Sequence, residues 1–172
     1  RANKLNVLVI SEKLLESAGD IDLLLVDKTG TITFGNRMAS EIIPLGTNTL
    51  NDVAKTAYLA SYYDQTPEGK SILSLARRYG VEIDMKQVNG TPHDFSAHTR
   101  MSGNDLENNE ILRKGATDTI LKLVLSKNGK VWTNTDQMIE NIANQGGTPL
   151  LISKNNEVIG IINLKDIIKT WN

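Results

Sequence analysis

The string Asp27-Lys28-Thr29-Gly30-Thr31-Ile32-Thr33 contains the side chains best suited to phosphate chemistry. Gly30 lets the loop bend tightly, so that backbone N–H groups and hydroxyls can point at a phosphate, and Lys28 adds positive charge. An aspartate can attack a γ-phosphoryl group and form an acyl phosphate, which makes Asp27 a candidate nucleophile. A single aspartate after a strand is more often a turn residue, so this prediction depends on the whole string.

A second group of residues has the composition of a nucleotide pocket. An aromatic ring can stack on a purine, a basic side chain can bind phosphate, and a glycine lets the backbone approach a ligand. Each residue also has an ordinary explanation, since scattered aromatic and charged side chains are normal in any domain. The candidates are Phe95, Ser96, Ala97, His98, Thr99, Arg100, Met101 and Ser102, followed by Lys114 and Gly115.

A third segment, YDQTPEGKS at residues 63–71, joins two predicted helices. Thr66 is a good helix N-cap and Pro67 is a good first helical residue. Local structure therefore explains much of this segment by itself.

The element before Asp27 decides where its carboxylate lies. Ile21 to Val26 reads IDLLLV, and such a nearly continuous apolar run is typical of a parallel strand buried on both faces. Ligands gather at the carboxyl ends of parallel strands, so Asp27 is expected at a functional edge. The predicted fold class is α/β, with a Rossmann-type parallel sheet.

From Phe34 onward the pattern changes to helices and short strands, which predicts an inserted α+β unit with an antiparallel sheet flanked by helices. The expected division is 1–34 for the first unit, 35–158 for the insertion, and 159–172 for the return of the first unit. Helices are predicted at Ser11–Ala18, Leu50–Tyr62, Glu68–Tyr79, Thr117–Leu125, Asp136–Asn144 and Lys165–Lys169. Strands are predicted at Leu5–Ile10, Ala39–Pro44, Thr99–Leu106, Glu110–Lys114, Leu150–Ser153 and Val158–Asn163, with a turn at Asn155-Asn156.

Composition narrows the classes of function. Of the 172 residues, 40% are hydrophobic and 23% charged, as in an ordinary globular protein. General nucleic-acid binding is disfavoured, because 19 basic residues against 20 acidic ones leave no cationic excess. The lack of cysteine excludes disulfides and thiolate zinc sites, and no apolar run approaches the roughly 18 residues that cross a bilayer. The chain is expected to be a soluble piece of a longer protein.

The string at 27–33 matches all seven positions of the phosphorylation motif of P-type ATPases, and the chain resembles that family. A given string of this length arises by chance roughly once per billion windows. The resemblance implies a truncated haloacid-dehalogenase-like fold, with Asp27, Lys28 and Thr29 as catalytic residues and Mg²⁺ on the Asp27 carboxylate and the Thr29 carbonyl. Phosphatases of that superfamily usually carry a second aspartate where Thr29 stands, so the phosphoenzyme is expected to persist.

The motifs DxTPEGxS, FSAxTRMSG and RKG resemble one subgroup, the catalytic B subunits of Kdp potassium-uptake ATPases. This resemblance implies that Phe95 stacks on adenine and that residues 95–102 form one wall of the pocket. It also implies that Lys114 lies beside the nucleotide and that Asp64 and Glu68 line the pocket. The implied cofactors are ATP and Mg²⁺, and the implied partners are the other subunits of a potassium-importing complex at the cytoplasmic face of the cell membrane.

Two other functions stay open from the residues alone. A soluble phosphatase of the same superfamily would use the inserted unit as a cap, although Thr29 argues against it. A non-catalytic adenine-nucleotide-binding module would use Phe95 and its neighbours and leave Asp27 idle. As part of a P-type ATPase, the chain by itself is expected to bind ATP weakly and not to pump.

Overall fold

The computed structural model describes residue 8, residues 10–84 and residues 88–168. Within these residues a six-stranded antiparallel sheet has the order β1-β6-β5-β4-β3-β2. The strands are β1 (Thr33–Pro44), β2 (Gly90–His93), β3 (Met101–Leu106), β4 (Ile111–Ala116), β5 (Thr148–Lys154) and β6 (Glu157–Ile168). The helices are α1 (Glu12–Ser17), α2 (Leu50–Ser61), α3 (Pro67–Arg78), α4 (Thr117–Ser126) and α5 (Thr135–Asn144).

Local signals in the sequence define the helices α2 and α3. Thr49 accepts a hydrogen bond from the Asp52 N–H at 3.1 Å, and the Asp52 carboxylate accepts one from the Thr49 N–H at 3.4 Å, which makes a capping box at α2. Thr66 caps α3, and Pro67 is its first residue. The four helices predicted for the inserted unit are confirmed to within one residue at each end. None of the helices described is long and apolar enough to span a bilayer.

Helices cover the sheet on both faces. Helices α2 and α3 pack on one face around Ala57, Ile72 and Ile162. Helices α4 and α5 pack on the other face around Ile120 and Ile161. The neighbouring residues Ile161 and Ile162 enter different cores because successive side chains of a strand point to opposite faces. Strand β6 is therefore buried on both faces, and it contributes side chains to both cores.

The predicted parallel sheet is not seen among the described residues. Residues 21–27 form no strand, and the side chains of Ile21, Leu23, Leu24, Leu25 and Val26 are 47% to 87% exposed. The strand predicted at Ile21–Val26 is therefore wrong for this structure. An apolar run becomes a buried parallel strand only when other strands and helices cover it, and no described residues do so here. Asp27 is exposed and lies directly before a π-helical turn, Lys28–Ile32, that leads into β1.

The helix predicted at Lys165–Lys169 is also wrong, because residues 165–168 belong to strand β6; Lys169 lies outside the described residues. Strand β6 continues to Ile168 because it pairs with β1, with Asp166 opposite Arg37. Strand β5 begins at Thr148, which pairs with Leu164. The residues of β6 after Leu164 therefore have no partner in β5 and pair only with β1. We call this two-stranded extension, Thr33–Met38 with Lys165–Ile168, the ribbon. It links the segment that carries Asp27 to the main sheet.

At the N-terminus, the predicted helix Ser11–Ala18 is confirmed as α1. The strand predicted at Leu5–Ile10 lies largely outside the described residues. The predicted strands of the inserted unit are all present, and Asn155 takes a left-handed conformation (φ 54°) in the turn between β5 and β6.

Candidate functional site

A cavity of about 480 Å³ lies over the face of the sheet that carries α3, at the end where α3 and α4 begin. We call it the Phe95 cavity. It brings together residues that the sequence places far apart, on two loops, five strands and two helices. Seven predicted binding residues line it: Asp64, Glu68, Phe95, Arg100, Ser102, Lys114 and Gly115.

The floor of the Phe95 cavity is apolar, and its edges are charged. Pro149, Leu150 and Leu164 contribute apolar surface, and Arg37, Arg100, Asp118 and Glu68 stand among the lining residues. A flat ligand with an apolar face and polar edges matches this arrangement.

Phe95 is not a core residue, because 57% of its surface is exposed. It borders both the Phe95 cavity and a second cavity of about 410 Å³ that includes Tyr63 and His93. Burial in a hydrophobic core therefore does not explain this aromatic residue. An exposed ring at the edge of a cavity is available to stack on a planar ligand.

A buried ion pair between Lys114 and Asp64, which lie 50 residues apart in sequence, forms a polar part of the cavity lining. The Lys114 Nζ lies 2.5 Å from Asp64 Oδ2, and it also donates to Ser102 Oγ at 2.9 Å. The side chains of Lys114 and Asp64 are only 5% and 9% exposed, respectively. Burial raises the pKa of Asp64, but the charge of Lys114 and hydrogen bonds from Lys114 and Thr66 outweigh it, so the net pKa is lowered.

Thr66 connects this ion pair to helix α3. Its backbone N–H and its hydroxyl donate to Asp64 Oδ1 at 3.0 and 2.7 Å. The same hydroxyl accepts from the Gly69 N–H at 3.0 Å and so caps the helix. Thr66 thus fixes the Asp64 carboxylate, and the carboxylate fixes the Lys114 ammonium. The capping role that the sequence predicts is confirmed, and it also serves the cavity.

Acidification should remove the stability that Asp64 contributes. The pKa of Asp64 lies below the ordinary value of 3.8, so the folded chain keeps this carboxylate charged at pH values where the unfolded chain binds a proton. The contribution is complete above the unfolded pKa and is lost as pH falls through the lower, folded pKa. We expect the free energies of unfolding of the wild-type and Asp64→Asn chains, measured in urea from neutral pH downward, to converge as the pH falls below 3.8. A difference that stays constant with pH would contradict this.

The turn before β3 orders the rest of the predicted wall. Ser96 Oγ lies 2.7 Å from Thr99 Oγ1, and the Arg100 N–H donates to the Ser96 carbonyl at 2.8 Å. Ser96, Ala97, His98 and Thr99 are exposed and are not among the residues that line the Phe95 cavity. Met101 packs against the core under α4 and α5, on the opposite face of the sheet. A nucleotide-contact role for these five residues remains a prediction.

The backbone of Arg100 passes close to Gly115. Arg100 has a left-handed backbone (φ 50°), and its guanidinium lies 2.8 Å from Asp118 Oδ2 at the rim of the cavity. A Cβ at Gly115 would lie 2.5 Å from the Arg100 carbonyl oxygen. The close contact between two backbone segments therefore requires this glycine, whereas the sequence suggested only the approach of a ligand.

The string at 27–33 lies outside the Phe95 cavity. Thr33 is buried, and its hydroxyl accepts hydrogen bonds from the Gly30 and Gly35 N–H groups at 3.4 and 3.3 Å. The Asp27 side chain is exposed, and those of Lys28 and Thr29 are outside what the structure describes. In the described part of the chain, no three His, Asp or Glu residues cluster in a way that could hold a metal ion.

Sequence reasoning missed several residues of the Phe95 cavity. Arg37 lies in β1 outside every motif, and Pro149 and Leu150 open β5. The only sequence signal for the last two is a short apolar run, which predicts a strand but no site. The register of β5 on β4 places Pro149 and Leu150 in the cavity, because Leu150 pairs with Ala116 just before α4.

A larger cavity of about 630 Å³ lies elsewhere on the molecule, between α2 and strands β3 and β4, and contains none of the predicted site residues. Its lining includes Lys55, Asn89, Glu110 and Lys154. Lys154 already forms an ion pair with Glu110 at 2.5 Å. We therefore regard the smaller Phe95 cavity, with its exposed ring, as the candidate site.

Comparison with known proteins gives strong sequence similarities, of 44–46% identity over 98–99% of the chain. No family model matches the chain. The chain is 46% identical over 172 residues to the potassium-transporting ATPase ATP-binding subunit 2 of Nostoc sp., an alignment that covers 99% of the chain and 24% of that subunit. The chain thus spans about a quarter of the length of this curated relative.

Solved structures share the fold at lower identity. A zinc-transporting PIB-type ATPase matches with a TM-score of 0.63 at 21% identity, over 84% of this chain and 21% of the other. The N-domain of a copper-transporting P-type ATPase matches with a TM-score of 0.51 at 16% identity, over 75% of this chain and 98% of the other. The antiparallel sheet with its helices is therefore the fold of such an N-domain.

Proposed function

Since this chain belongs to the P-type ATPases, as a homologue of part of the ATP-binding subunit of potassium-transporting ATPases, we propose that it binds ATP in the Phe95 cavity. The observation that carries this proposal is the exposed Phe95 ring in the same cavity as a buried Lys114, whose ammonium group is held by Asp64 and Ser102. Together they offer a purine an aromatic face and a fixed positive charge, and Leu150 and Leu164 add an apolar surface.

The side chains of the cavity have distinct roles in this proposal. Adenine stacks on Phe95 and lies over Leu150, which excludes water from one face of the base. Lys114 cannot swing away, because Asp64 and Ser102 hold its ammonium group, so it presents a fixed charge to the ligand. Binding of the base therefore orders few side chains, and this limits the entropy cost of association.

Phosphoryl transfer is proposed for the segment outside the cavity. Asp27 would accept the γ-phosphate of ATP as an acyl phosphate, Lys28 would offset negative charge, and Thr29 would leave the intermediate without a general base. The exposed Asp27 carboxylate and the Thr29 carbonyl are hard oxygen donors of the kind that Mg²⁺ prefers. Bound there with ATP and water, Mg²⁺ would neutralise charge on the phosphates.

The larger setting is likewise proposed from the relatives. Residues 1–34 would belong to a Rossmann-type, haloacid-dehalogenase-like phosphorylation domain, and the following residues would form the inserted nucleotide-binding domain. Strand β6 (Glu157–Ile168) is part of the sheet of that inserted domain, so the return to the phosphorylation domain would come after Ile168 and not at the expected residue 159. The whole subunit would couple ATP hydrolysis to potassium import together with other subunits of a membrane complex, with this part on the cytoplasmic side.

Replacing Asp27 by asparagine should leave ATP binding by this chain unchanged, within about twofold in Kd. Asp27 does not line the Phe95 cavity, and removal of one exposed carboxylate changes a neighbouring anion site only weakly. Isothermal titration of the wild-type and Asp27→Asn chains with ATP measures this directly. Loss of ATP binding in Asp27→Asn alone would contradict the separation of base binding from phosphoryl transfer.

A further inference from the structure

We propose that His93 and Asp105 position the Phe95 ring for stacking on the base, so that the affinity for nucleotide rises as His93 takes up a proton. This inference rests on the proposed function and adds two residues that no sequence motif contains. His93 is the last residue of β2, and only Asp94 separates it from Phe95. Both His93 and Phe95 border the second cavity, of about 410 Å³.

Strand β2, which leads into the Phe95 loop, is the outermost strand of the sheet. It has four residues and pairs only with β3, from Gly90 opposite Leu106 to His93 opposite Gly103. Residues 91–93 are exposed, so burial contributes little to holding this strand in place. A side-chain contact with β3 therefore matters more for the position of this strand end than it would in an inner strand.

The end of β2 has such a contact, between the His93 imidazole and the Asp105 carboxylate. His93 Nε2 lies 2.7 Å from Asp105 Oδ2, and Arg113 Nη1 donates to Asp105 Oδ1 at 2.6 Å. The hydrogen bond from Arg113 lowers the pKa of Asp105 and the bond from His93 adds to this effect, whereas burial opposes it. Asp105 is thus ionised near neutral pH, and because a carboxylate only accepts hydrogen bonds, His93 Nε2 carries the hydrogen.

The His93–Asp105–Arg113 cluster acts on the nucleotide only through the strand end that it holds. Arg113 directly precedes Lys114 in β4, and successive side chains of a strand point to opposite faces, so Arg113 lies on the face opposite Lys114. Lys114 lines the Phe95 cavity, whereas neither Asp105 nor Arg113 lines that cavity or the second one. His93 and Asp105 are therefore positioning residues, and the group that they position is Phe95.

Protonation changes the strength of the contact between His93 and Asp105. An imidazole ordinarily becomes charged between pH 8 and pH 5, and an imidazolium adds charge attraction to the hydrogen bond that the neutral ring already makes. A stronger bond holds the end of β2 in place in a larger fraction of molecules, so less ordering of Phe95 remains when the base binds.

The other groups that face His93 do not change charge in this range. Carboxylates ordinarily lose their protons below pH 5, and tyrosine and arginine keep theirs above pH 8. Among the described residues, the ionisable groups of this region are Asp105 on β3, Arg113 on β4, Asp94 in the Phe95 loop, and Tyr63 and Asp64 across the second cavity. The imidazole is therefore the group of this region whose charge depends on pH between 8 and 5.5.

Calorimetric titration with ATP at pH 8 and at pH 5.5 tests this role on the wild-type and His93→Gln chains. Glutamine donates a hydrogen bond but takes up no proton, so the two chains should bind equally at pH 8, within about 1.5-fold. At pH 5.5 His93→Gln should bind about 3- to 5-fold more weakly than the wild type, the range that an exposed ion pair supplies. Comparison at one pH cancels the protonation of ATP itself.

Two further variants and one spectroscopic measurement locate the effect. Asp105→Asn removes the partner carboxylate and should lose the pH dependence that the wild type shows relative to His93→Gln. His98→Gln removes the other histidine of the chain and should keep the wild-type pH profile. The chain has two phenylalanines, and in NMR spectra the ring resonances of Phe95 should follow the protonation of His93 in the wild type but not in Asp105→Asn.

The outcomes separate this inference from the function on which it rests. A ratio of the two Kd values that stays constant from pH 8 to pH 5.5 would overturn it, because a merely structural role of His93 weakens binding equally at every pH. Loss of the pH profile in His98→Gln would overturn it as well. If the wild-type chain bound ATP at neither pH, the proposed function itself would fail.

Folding of the His93 variant is checked by circular dichroism. Because the His93 side chain is 45% exposed, His93→Gln should fold as the wild type does. If it does not fold, the NMR titration of the wild-type chain decides alone. Phe95 resonances that do not move with the protonation of His93 would then show the inference to be wrong.

Discussion

Replacing Phe95 with alanine should weaken ATP binding by about 5- to 150-fold and leave the fold intact. Stacking of a base on an aromatic side chain contributes about 1–3 kcal/mol, and this ring is the exposed aromatic wall of the cavity. Because 57% of Phe95 is exposed, its removal leaves no cavity in either core, so the free energy of unfolding should change little. Calorimetric titration with ATP and urea unfolding of the same samples measure both quantities.

Leu125 supplies a matched control for the Phe95 variant. It is a large apolar residue of α4 with 59% exposure, close to that of Phe95, and it does not line the Phe95 cavity. Leu125→Ala should therefore bind ATP as the wild type does, and Phe95→Trp should retain binding because it keeps an aromatic face. Normal ATP affinity in Phe95→Ala would remove the observation that carries the proposed site.

The second large effect concerns the ion pair under the cavity. Asp64→Asn or Lys114→Met should each lower the free energy of unfolding by about 3–5 kcal/mol, because each leaves one partner of a buried pair uncompensated. Lys114→Met should also abolish detectable ATP binding, since the fixed charge beside the base is lost. Urea unfolding near neutral pH measures the stability, and titration with ATP measures the binding.

Two control variants separate stability from binding at this ion pair. The double variant Asp64→Leu with Lys114→Met removes both charges and should recover much of the lost stability, yet it should still not bind ATP. Asp118→Asn breaks the exposed pair with Arg100 and should cost only about 0–1 kcal/mol. If the single variants at Asp64 and Lys114 were no more destabilising than Asp118→Asn, the pair would not be buried as the structure places it.

Much of the inserted unit could be predicted from local sequence. The helices have caps such as Thr49 and Thr66, apolar spacing of 3.6 residues, and clear ends, and each of these signals acts over only a few residues. Some candidate binding residues were identified because aromatic, basic and glycine residues form short motifs, whereas Asp64 and Glu68 were expected only from the family resemblance. Seven of them line one cavity, as expected, although Gly115 does so for a reason of backbone packing.

The two wrong predictions share a cause. The apolar run at Ile21–Val26 and the pattern at Lys165–Lys169 were assigned from their own residues, whereas their structure depends on what lies beside them. No described strand pairs with the first, so it stays exposed, and β1 pairs with the second, so it stays extended. Periodicity within one segment carries no information on whether a partner is present.

The sequence by itself determined which side chains are available for the proposed chemistry, because the string at 27–33 and Phe95 are present whatever surrounds them. Only the tertiary structure decided how these groups are arranged. Packing of the loop before α3 against β4 brings Asp64 onto Lys114, and pairing of β1 with β6 sets Arg37 in the lining of the cavity. The physical reason is that strand register and burial arise from contacts between residues far apart in the chain, whereas caps, turns and motifs arise from neighbours.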